Sequence, residues 1–265
     1  CGTWNVTTLK DDDQKLAVVA LMEHFRIDLL AIQETECLRQ PLDLIITSSS
    51  GKKFQYHHTG ARKGVGFILA PSLQGLLVRF HAVTPRILHL TISEKGRETS
   101  FFSVYCPIDA SPTSTDSSNN TSFYSHLQDY IQDKIRPLNR HSIVVLGDFN
   151  CTLRQRHHAP PFIGQFALQP NNVIADKQKV NADLLTELCQ ALKLRLVNTL
   201  IKKNIQEIVT FQPTQKIVTL NPAERMYVKD LILTNNAQIN QYEILHCQPI
   251  RHTPHHLIVF ALSLE

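Results

Sequence analysis

The chain has 265 residues, of which 43% are hydrophobic and 19% are charged, the proportions of a globular protein with a substantial core. Its formal net charge of +4 is compatible with a polyanionic partner but too small to identify one. No apolar run approaches the ~18 residues of a membrane span, and no secretory signal is recognisable. We therefore expect an intracellular protein, nuclear or cytoplasmic, without a membrane partner. We interpret residues 1–265 as a single domain from a longer chain or a processed product.

The six cysteines are widely spaced, without a Cys-x-x-Cys pair. This spacing favours reduced, mostly buried thiols over a disulfide scaffold or a zinc site. The histidines include three doublets, His57-His58, His157-His158 and His255-His256. Adjacent residues of a strand point to opposite faces, so a doublet is not a chelating pair. We expect most histidines on the surface or in loops.

The beginning of the chain predicts a strand, a helix and a second strand. Thr3 to Val6 is typical of a short strand, and Asp11 to Asp13 can cap a helix whose apolar residues recur at helical spacing. Ile27 to Ile32 follows as a buried strand. This alternation favours layered α/β packing over an all-β domain.

Residues 54–106 predict a series of short antiparallel strands separated by turn signals. These strands are Gly64 to Leu69, Leu76 to Phe80, Arg86 to Ile92 and Thr99 to Tyr105. The Ser/Thr/Asn/Pro tract from Asp109 to Ser122 is typical of a loop, and a helix then runs to Pro137.

The second half predicts a long loop from His157 to Lys179 and a helix capped by Asn181. Further strands are expected at Arg195 to Val197, Ile208 to Phe211, Tyr227 to Leu233, Tyr242 to Cys247 and Leu257 to Leu262. Strands with a few helices laid outside them predict two sheets packed face to face and flanked by helices.

The most informative stretch is Ile143 to Asn150, in which four apolar residues run directly into Gly147-Asp148-Phe149-Asn150. A continuous apolar run of this length predicts a buried strand, which would deliver Asp148 and Asn150 to a sheet edge. Gly, Asp and Asn are also ordinary turn residues, so the stretch alone does not distinguish a site from a turn. Other polar residues also stand at predicted strand ends and could converge with it: Asn5, Glu34, Tyr105, Asp230, His255 and His256.

This set suits hydrolysis of a phosphodiester. Glu34 is a hard oxygen ligand for Mg²⁺, or for Mn²⁺ as its substitute, and the metal would polarise a phosphoryl oxygen. Asp148 and a histidine could handle the proton of the attacking water. The amides of Asn5 and Asn150 and the phenol of Tyr105 could hold phosphate oxygens.

Seven short motifs occur in an order that resembles the endonuclease/exonuclease/phosphatase family. They are Thr3-Trp4-Asn5-Val6, Gln33-Glu34-Thr35, Gly64-Val65-Gly66-Phe67, Tyr105-Cys106-Pro107, Gly147-Asp148-Phe149-Asn150, Val209-Thr210-Phe211 and Lys229-Asp230-Leu231-Ile232. Three further stretches resemble the apurinic-type endonuclease domain of RTE-clade non-LTR retrotransposons and cellular derivatives of the craniofacial development protein 2 type. They are Pro85-Arg86-Ile87, Ile163 to Leu168, and Leu196-Val197-Asn198-Thr199. The resemblance covers essentially the whole chain.

The resemblance implies a four-layered α/β sandwich and Mg²⁺-dependent nicking of DNA. It implies that Glu34 binds the metal and that Asn5, Tyr105 and Asn150 contact the phosphate. Asp148 would activate the water, and Asp230 would orient the site or serve the leaving group.

Two positions depart from the family pattern. The family carries Ser-Asp-His before its last strand, whereas this chain reads Thr253-Pro254-His255-His256. The best register makes His255 the catalytic histidine and replaces the aspartate with Pro254; a register one residue later makes it His256. In either register we expect the carboxylate that orients the histidine to be absent. The second departure is Thr7, where retrotransposon relatives usually carry arginine.

Three functions therefore remain open. The first is a Mg²⁺-dependent DNA endonuclease, intact or impaired by Pro254. The second is an inactive, domesticated relative that serves as a binding or structural module, with protein partners in a larger assembly. The third is a phosphatase acting on a small phosphorylated substrate or lipid, against which the RTE-like stretches argue.

Overall fold

The computed structural model describes residues 1–38, 43–108, 117–135, 141–151, 153, 162–164, 176–200, 210, 229–235, 239, 242–245 and 253–262. Within these residues the elements are Gly2–Asn5 (β1), Asp12–His24 (α1), Leu29–Gln33 (β2), Leu44–Thr47 (β3), Lys53–His58 (β4), Val65–Leu69 (β5), Pro71–Gln74 (α2), Leu77–Thr84 (β6), Ile87–Glu94 (β7), Arg97–Tyr105 (β8), Ser117–Tyr130 (α3), Ser142–Asp148 (β9), Asp176–Leu192 (α4), Arg195–Leu196 (β10), Val197–Leu200 (α5), Asp230–Thr234 (β11), Glu243–Leu245 (β12) and Leu257–Val259 (β13). A π-helical segment, Ile131–Ile135, continues α3. None of the described helices is long and apolar enough to span a membrane.

The strands form two mixed sheets. Seven strands follow the order β12-β13-β1-β2-β5-β4-β3, and six follow the order β10-β11-β9-β8-β7-β6. Each sheet contains one parallel pair, β1 with β2 and β8 with β9. Since the carboxyl ends of parallel neighbours meet at the same edge, the polar residues that end these four strands gather at one edge of each sheet.

Three apolar clusters separate four layers. Helix α1 packs Val18 and Met22 against Trp4 on the outer face of the seven-stranded sheet. A second cluster, which includes Phe67 and Phe101, lies between the two sheets. A third cluster joins α3 and α4 to the outer face of the six-stranded sheet. The predicted fold class, a four-layered α/β sandwich of two packed mixed sheets flanked by helices, is confirmed.

Strand β9 is buried on both faces, as its continuous apolar run predicts. Ile143 and Val145 pack towards α3 and α4, whereas Val144 and Leu146 face the other sheet. The strand therefore delivers Asp148 to the sheet edge from the centre of the core.

Two helices begin earlier in the chain than the sequence predicts. Helix α3 begins at Ser117, inside the tract that composition predicted as a loop up to Ser122. Helix α4 begins at Asp176, so Asn181 lies within the helix instead of capping it. Both errors arise because Ser and Asn favour loops and caps only weakly, and tertiary packing overrides that preference. Most of the predicted 157–179 loop and of the 208–211 strand lies outside the described residues.

The expectation that most histidines lie on the surface or in loops is wrong for His57, His58 and His89, which are buried within β4 and β7. Five of the described histidines are at most 6% exposed: His57, His58, His89, His255 and His256. Burial is tolerated where the imidazole has partners; His89, for example, lies 3.0 Å from the Ser100 hydroxyl and 3.1 Å from the Tyr130 hydroxyl. The cysteine expectation holds for the described residues, whose five cysteines are thiols, three of them buried.

Candidate active site

Three polar residues stand side by side on one rung of the six-stranded sheet. Asp148 at the end of β9 pairs in register with Tyr105 at the end of β8 and with Asp230 at the start of β11. All three residues are at most 1% exposed. Neighbouring strands lie about 4.7–4.9 Å apart, so the sheet holds a phenol and two carboxylates in a row.

The imidazole of His255 meets the two carboxylates from the segment that precedes β13. Its Nδ1 lies 2.8 Å from Oδ2 of Asp230, and its Nε2 lies 3.8 Å from Oδ2 of Asp148. His255 is only 4% exposed. Of the two histidines that the sequence left open, His255 is the one whose ring the structure brings to both carboxylates, while the main-chain N–H of His256 donates to the carbonyl of Thr210.

The expectation that no carboxylate orients the histidine is wrong. Pro254 indeed occupies the position next to His255, but Asp230 supplies the carboxylate from β11, 25 residues earlier. The pairing joins two elements that are distant in the sequence, so the motif around residue 254 could not reveal it. Replacement of an aspartate by Pro254 therefore leaves His255 with a buried acidic partner.

Strand β1 anchors the segment that carries His255. The indole Nε1 of Trp4 donates to the carbonyl of His255 at 3.1 Å, and the hydroxyl of Thr253 donates to the carbonyl of Asn5 at 2.8 Å. The main-chain N–H of His255 donates in turn to the Thr253 hydroxyl at 3.2 Å. These contacts are buried, and they fix the histidine although Pro254 donates no hydrogen bond.

The amide of Asn5 cross-links two carboxylates from different sheets. Its Nδ2 donates to Oε1 of Glu34 at 3.0 Å and to Oδ2 of Asp148 at 2.9 Å. Its Oδ1 accepts the main-chain N–H of Thr7 at 3.0 Å. Because each Asn5 side-chain atom has a partner, the orientation of the amide is fixed.

Glu34 lies at the solvent side of the site together with two cations. Its carboxylate, 15% exposed, contacts the ammonium group of Lys63. The same ammonium lies 5.7 Å from the ring centroid of Tyr105, and the guanidinium carbon of Arg86 lies 4.9 Å from it. We call Lys63 and Arg86 the cationic lip of the site.

Asn150 and Asn181 hold the segments that follow β8 and β9. The main-chain N–H of Asn150 donates to Oδ1 of Asp148, and its Nδ2 donates to the carbonyl of Cys106, both at 2.8 Å. Nδ2 of Asn181 donates to the carbonyls of Pro107 and Asn150 at 3.0 and 3.3 Å. Asn181, predicted as a helix cap, thus supports the site from α4.

Two further motif residues fix Asp230. The hydroxyl of Thr210 accepts the main-chain N–H groups of Lys229 and Asp230 at 2.9 and 3.1 Å. The side chain of Asn198 accepts from Ile232 at 2.8 Å and donates to the carbonyl of Asp230 at 3.4 Å. The start of β11 is therefore held on both sides.

Gln33 joins the two sheets beneath the site. Its Nε2 donates to the hydroxyls of Ser103 in β8 and Thr3 in β1, each at 3.2 Å. The Ser103 hydroxyl donates to the carbonyl of Ile32 at 3.1 Å. This buried polar bridge fixes the distance between the strands that carry Glu34 and Tyr105.

Burial and neighbouring charges shift the pKa values of Asp148 and His255, which form the central group of the site together with Asp230. Burial raises the pKa of Asp148, and the negative charge of Asp230 raises it further. Burial alone lowers the pKa of His255, but the charge and hydrogen bond of Asp230 outweigh that effect and the net shift is upwards. His255 is therefore more readily protonated than a free imidazole, and the group resists holding two uncompensated negative charges.

The pKa values of Glu34 and Tyr105, at the solvent side of the site, shift in opposite directions. Burial by itself raises the pKa of Glu34, yet hydrogen bonds from Asn5 and Lys63 and the charge of Lys63 bring it below its ordinary value. Burial, followed by the charges of Glu34 and Asp148, raises the pKa of Tyr105 far above its ordinary value. Glu34 is thus an anion at neutral pH, and Tyr105 is a neutral phenol.

The oxygen donors of the site fit a divalent cation. Among the described residues one group could supply three ligand atoms: those of Asp148, Asp230 and His255 lie within 4.8 Å of one another. Oδ1 of Asp230 is buried and has no hydrogen-bond partner among these residues, as expected of an atom that an ion or ordered water would satisfy. Glu34, the predicted metal ligand, lies across the Asn5 amide from this group.

Three of the seven non-glycine residues with positive φ in the described part of the chain belong to the site. Thr7, Glu34 and Asn150 have φ angles of 58°, 55° and 45°. Non-glycine residues adopt this region rarely and at a cost of about 1–3 kcal/mol, most often at functional sites. The surrounding hydrogen bonds hold these residues in place.

Sequence reasoning assigned no role to Lys63 and the wrong role to Asn181. A lysine in a turn is usually a solvated surface residue, and an asparagine within a polar stretch resembles a cap. Only the position of Lys63 immediately before Gly64-Val65-Gly66-Phe67 could have drawn attention to it. The contacts of both residues come from elements distant in the sequence.

The chain resembles known proteins in sequence profile and in fold. Residues 2–238 match the sequence profile of the Endonuclease/Exonuclease/phosphatase family. No curated protein sequence matches the chain.

Solved structures share the fold at low sequence identity. NExo from Neisseria, a 3′ phosphatase solved with a product DNA hairpin, is 15% identical with a TM-score of 0.67, over 99% of this chain and 98% of that one. The AP endonuclease LMAP from Leishmania major is 12% identical with a TM-score of 0.64, over 98% and 86%. The endonuclease domain of TRAS1, a telomere-specific non-LTR retrotransposon, is 14% identical with a TM-score of 0.59, over 100% and 98%. Because the family profile matches most of its length, this chain belongs to the endonuclease/exonuclease/phosphatase family.

Proposed function

We propose that the chain is a metal-dependent phosphodiesterase of the retrotransposon endonuclease type, which nicks DNA. The observation that carries this proposal is the buried arrangement of Asp148, Asp230 and His255, in which the histidine retains an acidic partner despite Pro254. The similar structures of a DNA 3′ phosphatase, an AP endonuclease and a retrotransposon endonuclease domain support DNA as the substrate class.

Asp148 and His255 divide the proton chemistry in this proposal. Asp148 accepts the proton of the attacking water; its raised pKa brings it closer to the range in which a general base is effective. His255, protonated with the help of Asp230, directs Nε2–H at a phosphoryl oxygen and stabilises the charge that develops there. Asp230 orients the imidazole. As the water oxygen bonds to phosphorus, the bond to the leaving oxygen on the opposite face breaks, and the leaving oxygen takes its proton from solvent.

Neutral groups complete the proposed phosphate site. The phenol of Tyr105 stays protonated and can therefore donate a hydrogen bond to an oxyanion. Asn5 and Asn150 hold Asp148 through hydrogen bonds of 2.9 and 2.8 Å, and we propose that their amides also contact the phosphate when DNA is bound. The cationic lip offers positive charge to the DNA backbone, which positions the strand without reading its sequence.

Glu34, with an oxygen of the Asp148–Asp230 group, would hold Mg²⁺. The ion would supply Lewis acidity, polarising a phosphoryl oxygen and stabilising the leaving oxygen.

A nicking assay tests this function. Supercoiled plasmid is incubated with the protein and Mg²⁺, and conversion to nicked circles is measured for the wild type, for Asp148→Ala and for Asp13→Ala. Asp13 is an exposed acid in the first turn of α1 and serves as the matched control. Nicking that Asp148→Ala abolishes and Asp13→Ala preserves supports the proposal; nicking that survives Asp148→Ala contradicts it.

Two further measurements, made beside the nicking assay, distinguish the alternative functions. Binding of DNA with a steep salt dependence but without cleavage would identify a catalytically inactive module, the alternative that Pro254 and Thr7 motivate. Hydrolysis of a soluble phosphomonoester without plasmid nicking would identify a phosphatase.

A further inference from the structure

Lys63 occupies the place of a cation at the carboxylate that is proposed to bind metal. Its ammonium contacts Oε2 of Glu34, while Oε1 accepts from Asn5. Both carboxylate oxygens are therefore engaged by protein donors. A divalent ion that approaches Oε2 meets the positive charge of the ammonium and competes with it for the same oxygen.

The backbone that carries Lys63 is held firmly at both ends. The hydroxyl of Thr59 donates to the carbonyl of Pro85 at 2.7 Å and accepts the main-chain N–H of Val65 at 3.1 Å. The carbonyl of Gly64 accepts the N–H of Thr35 at 3.1 Å, directly beside Glu34. These bonds tie the turn to Glu34 on one side and to the β6–β7 turn that carries Arg86 on the other.

Gly64 shows how closely this turn is packed. A Cβ atom at Gly64 would lie 2.7 Å from both the carbonyl oxygen of Ala61 and the hydroxyl of Thr59. The turn therefore has little freedom to shift, and the position of Lys63 beside Glu34 follows from the packing. The lysine side chain is 45% exposed and flexible, so it can leave Glu34 without a shift of the turn.

We infer that Lys63 is an intramolecular competitor for the divalent metal ion at Glu34. The inference rests on the proposed metal role of Glu34. An ammonium and a metal ion are both attracted to the same carboxylate oxygen, so the apparent metal affinity equals the intrinsic affinity reduced by the stability of the ion pair. A charge-assisted hydrogen bond is stronger than a neutral one, and partial exposure to solvent weakens it.

Metal binding also relocates a positive charge. The ammonium already lies 5.7 Å from the ring centroid of Tyr105, so an ammonium displaced from Oε2 would stay close to the place where the proposed function puts the phosphodiester. The ammonium of Lys63 would then be available to contact the substrate phosphate.

A Mn²⁺ titration of the full chain, followed by calorimetry, tests the inference. Lys63→Met removes the ammonium and keeps the length of the side chain. Lys10→Met is the matched control, because Lys10 pairs with Glu36 at 2.7 Å and is 54% exposed, so it removes a similar charge two residues from Glu34. We expect Lys63→Met to bind Mn²⁺ about 10-fold more tightly and Lys10→Met to change the affinity less than about 2-fold.

The double variant Lys63→Met/Glu34→Gln completes a double-mutant cycle, which measures the coupling between the two side chains. In the Glu34→Gln background, Lys63→Met is expected to leave Mn²⁺ affinity unchanged, and circular dichroism establishes that each variant is folded. Equal effects of the two lysine variants, or an effect of Lys63→Met that persists without Glu34, would overturn the inference. If the competition is observed while the wild type nicks no plasmid, the proposed function fails and the inference stands.

Discussion

Nδ1 of His255 lies 2.8 Å from Oδ2 of Asp230, and both side chains are buried. The family pattern places an acid at residue 254, and this chain has proline there. Asp230 takes the place of that acid: it orients the imidazole of His255 and raises its pKa. The dependence of activity on the two positions is therefore expected to be unequal. Asp230 is expected to be essential because it orients His255 and favours its protonated form, whereas Pro254 does neither.

Pro254→Asp is expected to change the nicking rate by less than about 10-fold, the equivalent of about 1.4 kcal/mol in the barrier. The reason is that His255 already has a buried carboxylate partner, and the proline segment is anchored by Trp4 and Thr253. The rate is measured on supercoiled plasmid at saturating Mg²⁺. A gain above about 100-fold would show that the missing aspartate limits the wild type.

Asp230→Asn is expected to reduce nicking by about 10³–10⁴, by analogy with loss of the acid beside a catalytic histidine. The amide removes the negative charge that raises the pKa of His255, while burial, which lowers that pKa, remains. Because the proposed mechanism needs the protonated imidazole, the falling limb of the pH–rate profile is expected to move to lower pH. An unchanged limb in Asp230→Asn would exclude His255 as the group that titrates there.

The same ion pair contributes to stability in a defined pH window. The folded pKa of His255 lies above the unfolded value of about 6.5. The contribution is thus complete below that unfolded value and is lost as pH rises through the folded pKa. Urea unfolding across this window is expected to show the loss in the wild type and its absence in Asp230→Asn.

The sequence predicts the layers of this fold well because its signals are local. The apolar run from Ile143 to Leu146 identifies a strand buried on both faces, and the polar residues predicted at strand ends come together at the candidate site. Local sequence patterns do not reveal contacts between elements that are distant in the sequence. The pairing of Asp230 with His255 depends on how two sheets meet, and the ion pair of Lys63 with Glu34 depends on a turn between β4 and β5.

Thr7→Asn is expected to stabilise the protein by about 0.5–1 kcal/mol. Thr7 has φ = 58°, a conformation that β-branched residues adopt poorly and asparagine tolerates. The main-chain N–H that orients Asn5 is retained, so nicking is expected to persist. The free energy of unfolding in urea measures the effect, and a loss of stability would show that the Thr7 hydroxyl, which donates to Val6 at 2.7 Å, outweighs the strain.

Asn181→Ala is expected to destabilise the protein by about 1–3 kcal/mol, because two buried carbonyls lose their amide donor. Since one of these carbonyls belongs to Asn150, nicking is also expected to fall by roughly 10-fold. Gln190→Ala, an exposed position on the same helix, is the control and is expected to preserve both properties. A variant as stable and active as Gln190→Ala would show that Asn181 does not support the site.

Gly147→Ala is expected to cost more than about 3 kcal/mol of stability and to abolish nicking. A Cβ at Gly147 would lie 1.9 Å from the carbonyl oxygen of Val104, so strands β8 and β9 would have to separate at the Val104–Gly147 rung, directly beside the rung that holds Tyr105 and Asp148. Gly75→Ala is the matched control, because a Cβ there meets no atom within 4 Å and its φ is −72°; it is expected to be neutral or slightly stabilising. Thermal unfolding of the two variants measures the contrast, and equal melting temperatures would show that the two strands are less closely packed at this rung.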